Sequence, residues 1–141
     1  MTDKYTLILE GTPKSKLRPR FSTQLIGRRL VPKTYDMQSK DKEKDRMLLY
    51  SQMRDKAILR CQISMIAIHF RFRMPKPKSM PKKRLKTFHD KKPDLDNMIK
   101  YYLDIMNGIV YDDDKLVVKL SADKIYDENP RVEIDIESIM V

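Results

Sequence analysis

At 141 residues, 40% hydrophobic and 35% charged, the sequence suits one compact domain (residues 1–141) with its own core and is too short for two. Its single cysteine, Cys61, excludes an intrachain disulfide or a cysteine-based zinc cluster; with no apolar leader and no stretch near the ~18 apolar residues of a membrane helix, a cytoplasmic protein without a membrane partner is expected. The formal net charge of +10 predicts a polyanionic partner, nucleic acid ahead of an anionic membrane surface.

In chain order, Tyr5 to Glu10 reads as a first strand closed by Gly11 and Pro13, followed by a basic, proline-punctuated loop to about Lys33. A helix is expected over about 41–60, where Leu49, Met53 and Ala57 recur at four-residue spacing with Tyr50 beside them. Ile66, Ile68, Phe70, Phe72 and Met74 then alternate with Ala67, His69, Arg71 and Arg73, the pattern of a strand with one core face and one basic face. Pro75, Pro77 and Pro81 among lysines predict a loop over 75–92, with room for some helix between Lys82 and Phe88. Ile99, Tyr102, Leu103 and Met106 predict a helix over 97–106, stopped by Asn107-Gly108. Leu116, Val118, Leu120 and Ala122 mark one further strand and Val132, Ile134 and Ile136 another, with a turn between them near Asp127 to Pro130. The expected fold is α/β (α+β): one small domain with a mixed sheet of about four strands packed with two main helices.

Charge is concentrated. Residues 11–33 hold seven Lys/Arg and no acid, and residues 71–92 hold ten Lys/Arg with only Asp90; these segments together carry +16 and the rest of the chain −6. Such concentration suits a surface that tracks phosphates, although solvated flexible loops have the same composition. The candidate contacts are Lys14, Lys16, Arg18 and Arg20 in the first segment, and Arg71, Arg73, Lys76, Lys82, Lys83, Arg84 and Lys86 in the second.

The chemically dense stretch is Lys92-Pro-Asp-Leu-Asp-Asn97, followed by Lys100 and by Tyr111-Asp-Asp-Asp-Lys115. In an extended segment Asp94 and Asp96 share one side, which suits a common hard cation such as magnesium; Asp113 or Asp114 adds a third carboxylate if the Gly108 turn folds that segment back beside the first pair. The same residues also serve plainer ends. Asp96 is placed to cap the coming helix, Asp94 to sit near its positive end, Lys100 to join Asp96 and Asp104 in an exposed ion-pair ladder, and 112–114 to form a solvated turn. His69 and His89 stay outside the catalytic set.

Lys-Lys-Pro-Asp-Leu-Asp-Asn-Met-Ile-Lys at 91–100, Leu103 to Val110, Asp113-Asp114 and Glu128 to Ile134 together resemble the RusA family of Holliday junction resolvases. Pro13-Lys14, Arg18-Pro-Arg-Phe21 and Lys82-Lys-Arg84 resemble the family's basic segments more loosely. The resemblance implies a homodimeric endonuclease, dependent on Mg2+ (or Mn2+), that nicks two opposed strands of a four-way branched DNA junction. It places the essential aspartates on Asp94, Asp96 and Asp114 and the essential lysine on Lys100, with Asp113 one alignment step from Asp114. It also implies a small mixed sheet with helices. Two other functions fit the same residues: a flap-cutting or debranching nuclease of a phage or prophage, and a non-catalytic DNA-binding module whose carboxylates merely cap a helix.

Overall fold

The strictly alternating strand at the centre of the sequence is the centre of the fold. In a computed structural model that describes residues 4–18 and 20–139, with all their side chains except those of Arg20 and Thr34, it is β4 (Met65–Pro75). Ile66, Ile68, Phe70, Phe72 and Met74 are buried on one face, and Phe70 and Phe72 stack at 5.4 Å. Around it stand β1 (Lys4–Glu10), β5 (Val117–Asp127) and β6 (Arg131–Ile139), in the order β1-β6-β4-β5. β6 is antiparallel to both neighbours, whereas β5 runs parallel to β4. A parallel neighbour requires a crossover, and the helix expected after the basic loop supplies it.

That helix, α2 (Leu95–Met106), begins two residues earlier than the expected 97 and buries Met98, Tyr101, Tyr102, Ile105 and Met106. The buried stripe is therefore turned slightly from the one read in the sequence, with Ile99 and Leu103 at its margin. The other helix, α1 (Ser39–Asp55), buries Asp45, Leu49 and Met53. It ends before the expected residue 60, because Ala57 takes a left-handed φ of 55° that no helix continues through, and Tyr50 is 60% exposed rather than packed. Both helices pack on the face of the sheet that carries the buried residues of β4.

Two links lock the layers. Gln52 on α1 accepts from the Ile8 N–H (2.8 Å) and donates to its carbonyl (2.6 Å), pairing the outer edge of β1 with a side chain. Arg46 donates to the carbonyls of Ile105 (2.9 Å) and Asn107 (2.8 Å), satisfying the last turn of α2 with a cation where the helix dipole favours one.

The basic loop expected up to Lys33 is in its second half a hairpin, β2 (Arg20–Ile26) with β3 (Arg29–Tyr35), turning at Gly27 with φ +64°. It forms a sheet of its own beyond the four strands that were expected. The segment after β4 is irregular as expected, with a single 3-10 turn at Lys82–Arg84, and its Lys86 to His89 stretch hydrogen-bonds to Lys124 and Tyr126 along part of the free edge of β5. Among the described residues no helix is long and apolar enough to cross a membrane.

Candidate active site and nucleic-acid interface

Asp94, not Asp96, occupies the position before α2; its backbone is extended and its side chain makes no capping hydrogen bond. Asp96 lies in the first helical turn, so the two carboxylates are not alternate residues of one strand. Both are exposed, as is Lys100, whose ammonium is 4.0 Å from Asp96 one turn along. An exposed pair of this kind contributes a few tenths of a kcal/mol at most. Among the described residues no side-chain bond engages Asp94, and only this weak pair engages Asp96 and Lys100.

At 112–114 the three carboxylates differ in what holds them. Asp112 is bound by Arg60 at 2.6 Å, and Asp113 accepts from the Lys115 N–H at 3.1 Å, capping the 3-10 turn Asp114–Leu116. That backbone bond, and next the bond to Asp114, keep Asp113 below the usual carboxyl range. Asp114 is pushed upward, first by its hydrogen bond with Asp113 and also by the nearby charges of Asp113 and Asp104. Asp114 is thus the member of the run that forms no ion pair and caps no turn among the described residues.

The crossover decides how far apart these groups stand. α2 runs from the far end of β4 back to the start of β5, so Asp94 and Asp114 lie at opposite ends of a helix of 12 residues, about 18 Å long. Asp114 is near Asp104, in the last third of α2, whereas Asp94 follows Pro93, whose carbonyl accepts from Lys124 near the end of β5 (2.8 Å). The Gly108 turn, at φ +84°, leads into β5 and does not return the chain to Asp94. Accordingly, among the described residues no three His, Cys, Asp or Glu side chains form a group that would hold one metal ion. The donors have the right chemistry for a hard cation, all oxygen and all exposed; within one chain they do not have the right placement.

Next to the Asp94 end lies the first basic segment, and it is not a free loop. The Lys14 ammonium binds the buried Asp45 carboxylate at 2.8 Å, and its N–H donates to the Tyr102 hydroxyl at 2.9 Å. Gln38, also buried, donates to the Ser15 carbonyl (2.6 Å) and accepts from the Leu17 N–H (2.9 Å), while the Lys16 N–H donates to the Asn97 carbonyl in the first turn of α2 (3.0 Å). Asp45 also accepts from the Tyr101 hydroxyl at 2.7 Å; burial, then that bond, hold Tyr101 protonated far above its ordinary range. Gln38 and Asp45 are the positioning residues missed in the sequence reading. The register Asp45, Leu49, Met53 placed Asp45 on the buried stripe, which was the available signal.

The candidate phosphate contacts divide accordingly. Lys14 is committed to Asp45, and Arg71 to Glu133 (3.2 Å) and Asp135 (2.8 Å); Lys76 donates to the Met80 carbonyl (2.6 Å) and Lys16 is 3.8 Å from Asp104. Arg73 is half-buried with its Nε unpartnered. Arg18, Lys82, Lys83, Arg84 and Lys86 are exposed and form no ion pair among the described residues. The Arg20 side chain lies outside the described residues. A cavity of about 1350 Å³ opens under residues 56–64 and touches none of the candidate catalytic groups.

Comparison with known proteins gives three similarities. The family described as "Endodeoxyribonuclease RusA" matches residues 10–137. The "Uncharacterized protein YqaN" of Bacillus subtilis (strain 168) is 37% identical over 100 residues, 65% of this chain and 68% of that protein. The "Crossover junction endodeoxyribonuclease rusA" of Lactococcus phage r1t is 41% identical over 59 residues, 41% of this chain and 45% of that protein.

Proposed function

The chain belongs to the RusA endodeoxyribonuclease family, and from that membership we propose that it resolves four-way DNA junctions in recombination and repair, by paired symmetric nicks through metal-dependent phosphodiester hydrolysis. The name of the phage r1t relative, a crossover junction endodeoxyribonuclease, supports the junction as substrate. The observation that carries the reading in this chain is the end of α2, where Asp94, Asp96 and Lys100 are exposed with almost no structural duty while buried groups tie a basic segment to the same turn. Asp94, Asp96 and Asp114 are the proposed ligands of Mg2+ or Mn2+. Bound there, such an ion would supply an activated water and charge neutralisation at the scissile phosphate. Lys100, one turn from Asp96, would offset charge that develops on that phosphate, and the exposed basic residues would orient the backbone.

The separation of Asp94 from Asp114 makes the homodimer part of this reading. The edge of β5 ahead of Lys124 has no strand partner among the described residues, and Val118 (54%) and Leu120 (44%) are exposed along it. Pairing of this edge with a two-fold copy, centred near residues 119–120, sets the partner's Asp114 opposite residues 124–126, beside the lysine that holds Pro93. One site would then draw Asp94 and Asp96 from one copy and Asp114 from the other, and a symmetric dimer would hold two such sites.

The test is incubation with a synthetic four-way junction, with and without magnesium, mapping nicks on all four strands. Paired symmetric nicks that need the metal and vanish in Asp94→Asn, with binding kept, are expected; metal-dependent cutting unchanged in Asp94→Asn would sink the site. Mixing Asp94→Asn with Asp114→Asn chains should restore one working site per mixed dimer and hence single nicks, which a site built within one chain cannot do at these distances. Preferred cutting of flaps or forks over junctions would favour the debranching alternative.

A further inference from the structure

Among the described strands, β2 and β3 stand outside the four-stranded sheet. Residues opposite each other in an antiparallel pair share a face, so the register Phe21↔Thr34, Thr23↔Pro32 and Leu25↔Leu30 puts Phe21, Thr23, Leu25, Leu30 and Pro32 on one side. That side carries no charge, and its large members are nowhere buried: Phe21 is 78% exposed, Leu25 68% and Leu30 72%. Neither strand packs extensively on another element. A two-stranded hairpin alone in water is marginal, and an apolar face this exposed on it calls for an occupant.

Charge and position say which occupant. Arg28 at the turn, and Arg29 and Lys33 on the opposite face, are exposed and pair with no carboxylate among the described residues. A second copy of a chain of net charge +10 would bring like charges together here, whereas DNA brings phosphates. The arm is rooted at the proposed site. Ser15 and Leu17, ahead of β2, are bound to Gln38, which follows β3, and Lys16 is bound to Asn97 in the first turn of α2. Seven-residue strands give the arm a reach of about 20 Å from that root.

We infer that the β2–β3 hairpin is a strand-separating arm: its apolar face of Phe21, Leu25 and Leu30 inserts against bases that unstack at the branch point, while Arg28, Arg29 and Lys33 hold the flanking phosphates. Apolar side chains driven between base steps, with cations on the backbone, are a general means of opening a duplex. This inference rests on the reading of branched DNA as the substrate.

The test is permanganate reactivity of thymines at the branch point of a synthetic junction, measured without magnesium and at saturating protein, with cutting followed separately after magnesium is added. Wild-type protein should raise branch-point reactivity several-fold. Phe21→Ser/Leu25→Ser/Leu30→Ser should still bind the junction but raise reactivity little, and should cut several-fold more slowly. Arg28→Gln/Arg29→Gln/Lys33→Gln keeps the apolar face, so it should bind more weakly and with a shallower salt dependence, yet open the branch fully once saturated; it guards against a triple-serine arm that has merely lost its shape. Equal opening by wild type and the triple-serine variant, no opening by wild type, or a triple-serine variant that sediments as a monomer where wild type is a dimer would each overturn the arm. The cutting gel reports on the junction reading independently: paired nicks without opening would remove the arm and leave the resolvase, whereas opening without nicks would do the reverse.

Discussion

Replacing Asp45 with alanine removes a single carboxylate that holds three parts of the molecule together. Its side chain is 8% exposed and receives the Lys14 ammonium at 2.8 Å and the fully buried Tyr101 hydroxyl at 2.7 Å. Leaving the Tyr101 hydroxyl without a partner costs about 1–3 kcal/mol. The pair with Lys14, whose side chain is 33% exposed, adds about 1 kcal/mol after screening. The expected total is about 2–4 kcal/mol. At ~2.1 cal/mol/K of unfolding entropy per residue, a chain of 141 residues loses about 3 °C per kcal/mol, so Tm should fall by about 6–12 °C.

Thermal and urea unfolding of Asp45→Ala, Tyr101→Phe and the double variant would test this. The double-variant cycle should return a coupling of about 1 kcal/mol or more, because the two groups are in direct contact. For comparison, Asp36 and Lys42 are only 2.6 Å apart but Asp36 is 41% exposed, and Asp36→Ala should cost less than about 1 kcal/mol. A loss below about 0.5 kcal/mol for Asp45→Ala, the range of ordinary surface changes, would refute the view that this carboxylate anchors the basic segment. The same variant should weaken junction binding without touching Asp94, Asp96 or Lys100, since Lys14 to Leu17 lose the one charged anchor among those that tie them to α1 and α2.

Other expectations follow from single features. Gly108→Ala, at φ +84°, should cost about 1–2 kcal/mol in urea unfolding, because an L side chain strains that backbone although the nearest atom, on Arg46, is at 3.6 Å. Asp127 has its carboxyl lowered, first by the Asn129 N–H and then by the Arg131 charge; its folded value is below its unfolded one, so its contribution is present above the ordinary carboxyl range and lost as pH falls through the lowered folded value. Asp127→Asn should therefore flatten the acid limb of the stability curve in that window. Val118→Asp/Leu120→Asp should give a monomer by sedimentation that still folds but does not nick, if the free edge of β5 is the dimer contact.

The sheet was legible where burial was one-sided. β4 alternates because one face is core, and α2 shows its stripe because one side of it packs; both were readable to within about two residues. The hairpin was not readable for the converse reason. Its residues are exposed on both faces, so no burial imposes a pattern, Pro32 lies within β3, and the turn Gly27-Arg28 lacks the Asn-Gly or Asp-Gly signal. The aspartates were legible as a motif but their separation was not. Residue spacing alone does not say that the segment after β4 returns as a crossover, and only that direction puts Asp94 and Asp114 at opposite ends of α2.

Net charge predicts a polyanionic partner, yet it does not say which cations meet it, and pairing within the fold does. On the open face of the sheet, Arg71 is held by Glu133 and Asp135, Arg131 by Glu133 and Asp127, and Lys4 stands near Glu137. Arg71 is thus compensated within the fold, and Arg73 is the member of the basic alternation of β4 that forms no ion pair among the described residues. Exposed cations that form no ion pair among the described residues include those of the Lys82 to Lys86 segment and of the hairpin arm. The difference is measurable in the salt dependence of junction affinity, where each phosphate contact contributes a slope of about 0.9. Lys82→Ala/Lys83→Ala/Arg84→Ala should lower the slope by about 2–3 and leave stability within about 0.5 kcal/mol of wild type. Arg71→Ala should leave the slope unchanged and instead lose stability, because it leaves Asp135 with the Thr6 hydroxyl and Glu133 with Arg131 as their remaining partners. A slope that falls by a full phosphate contact in Arg71→Ala would place DNA on the sheet face and overturn this division.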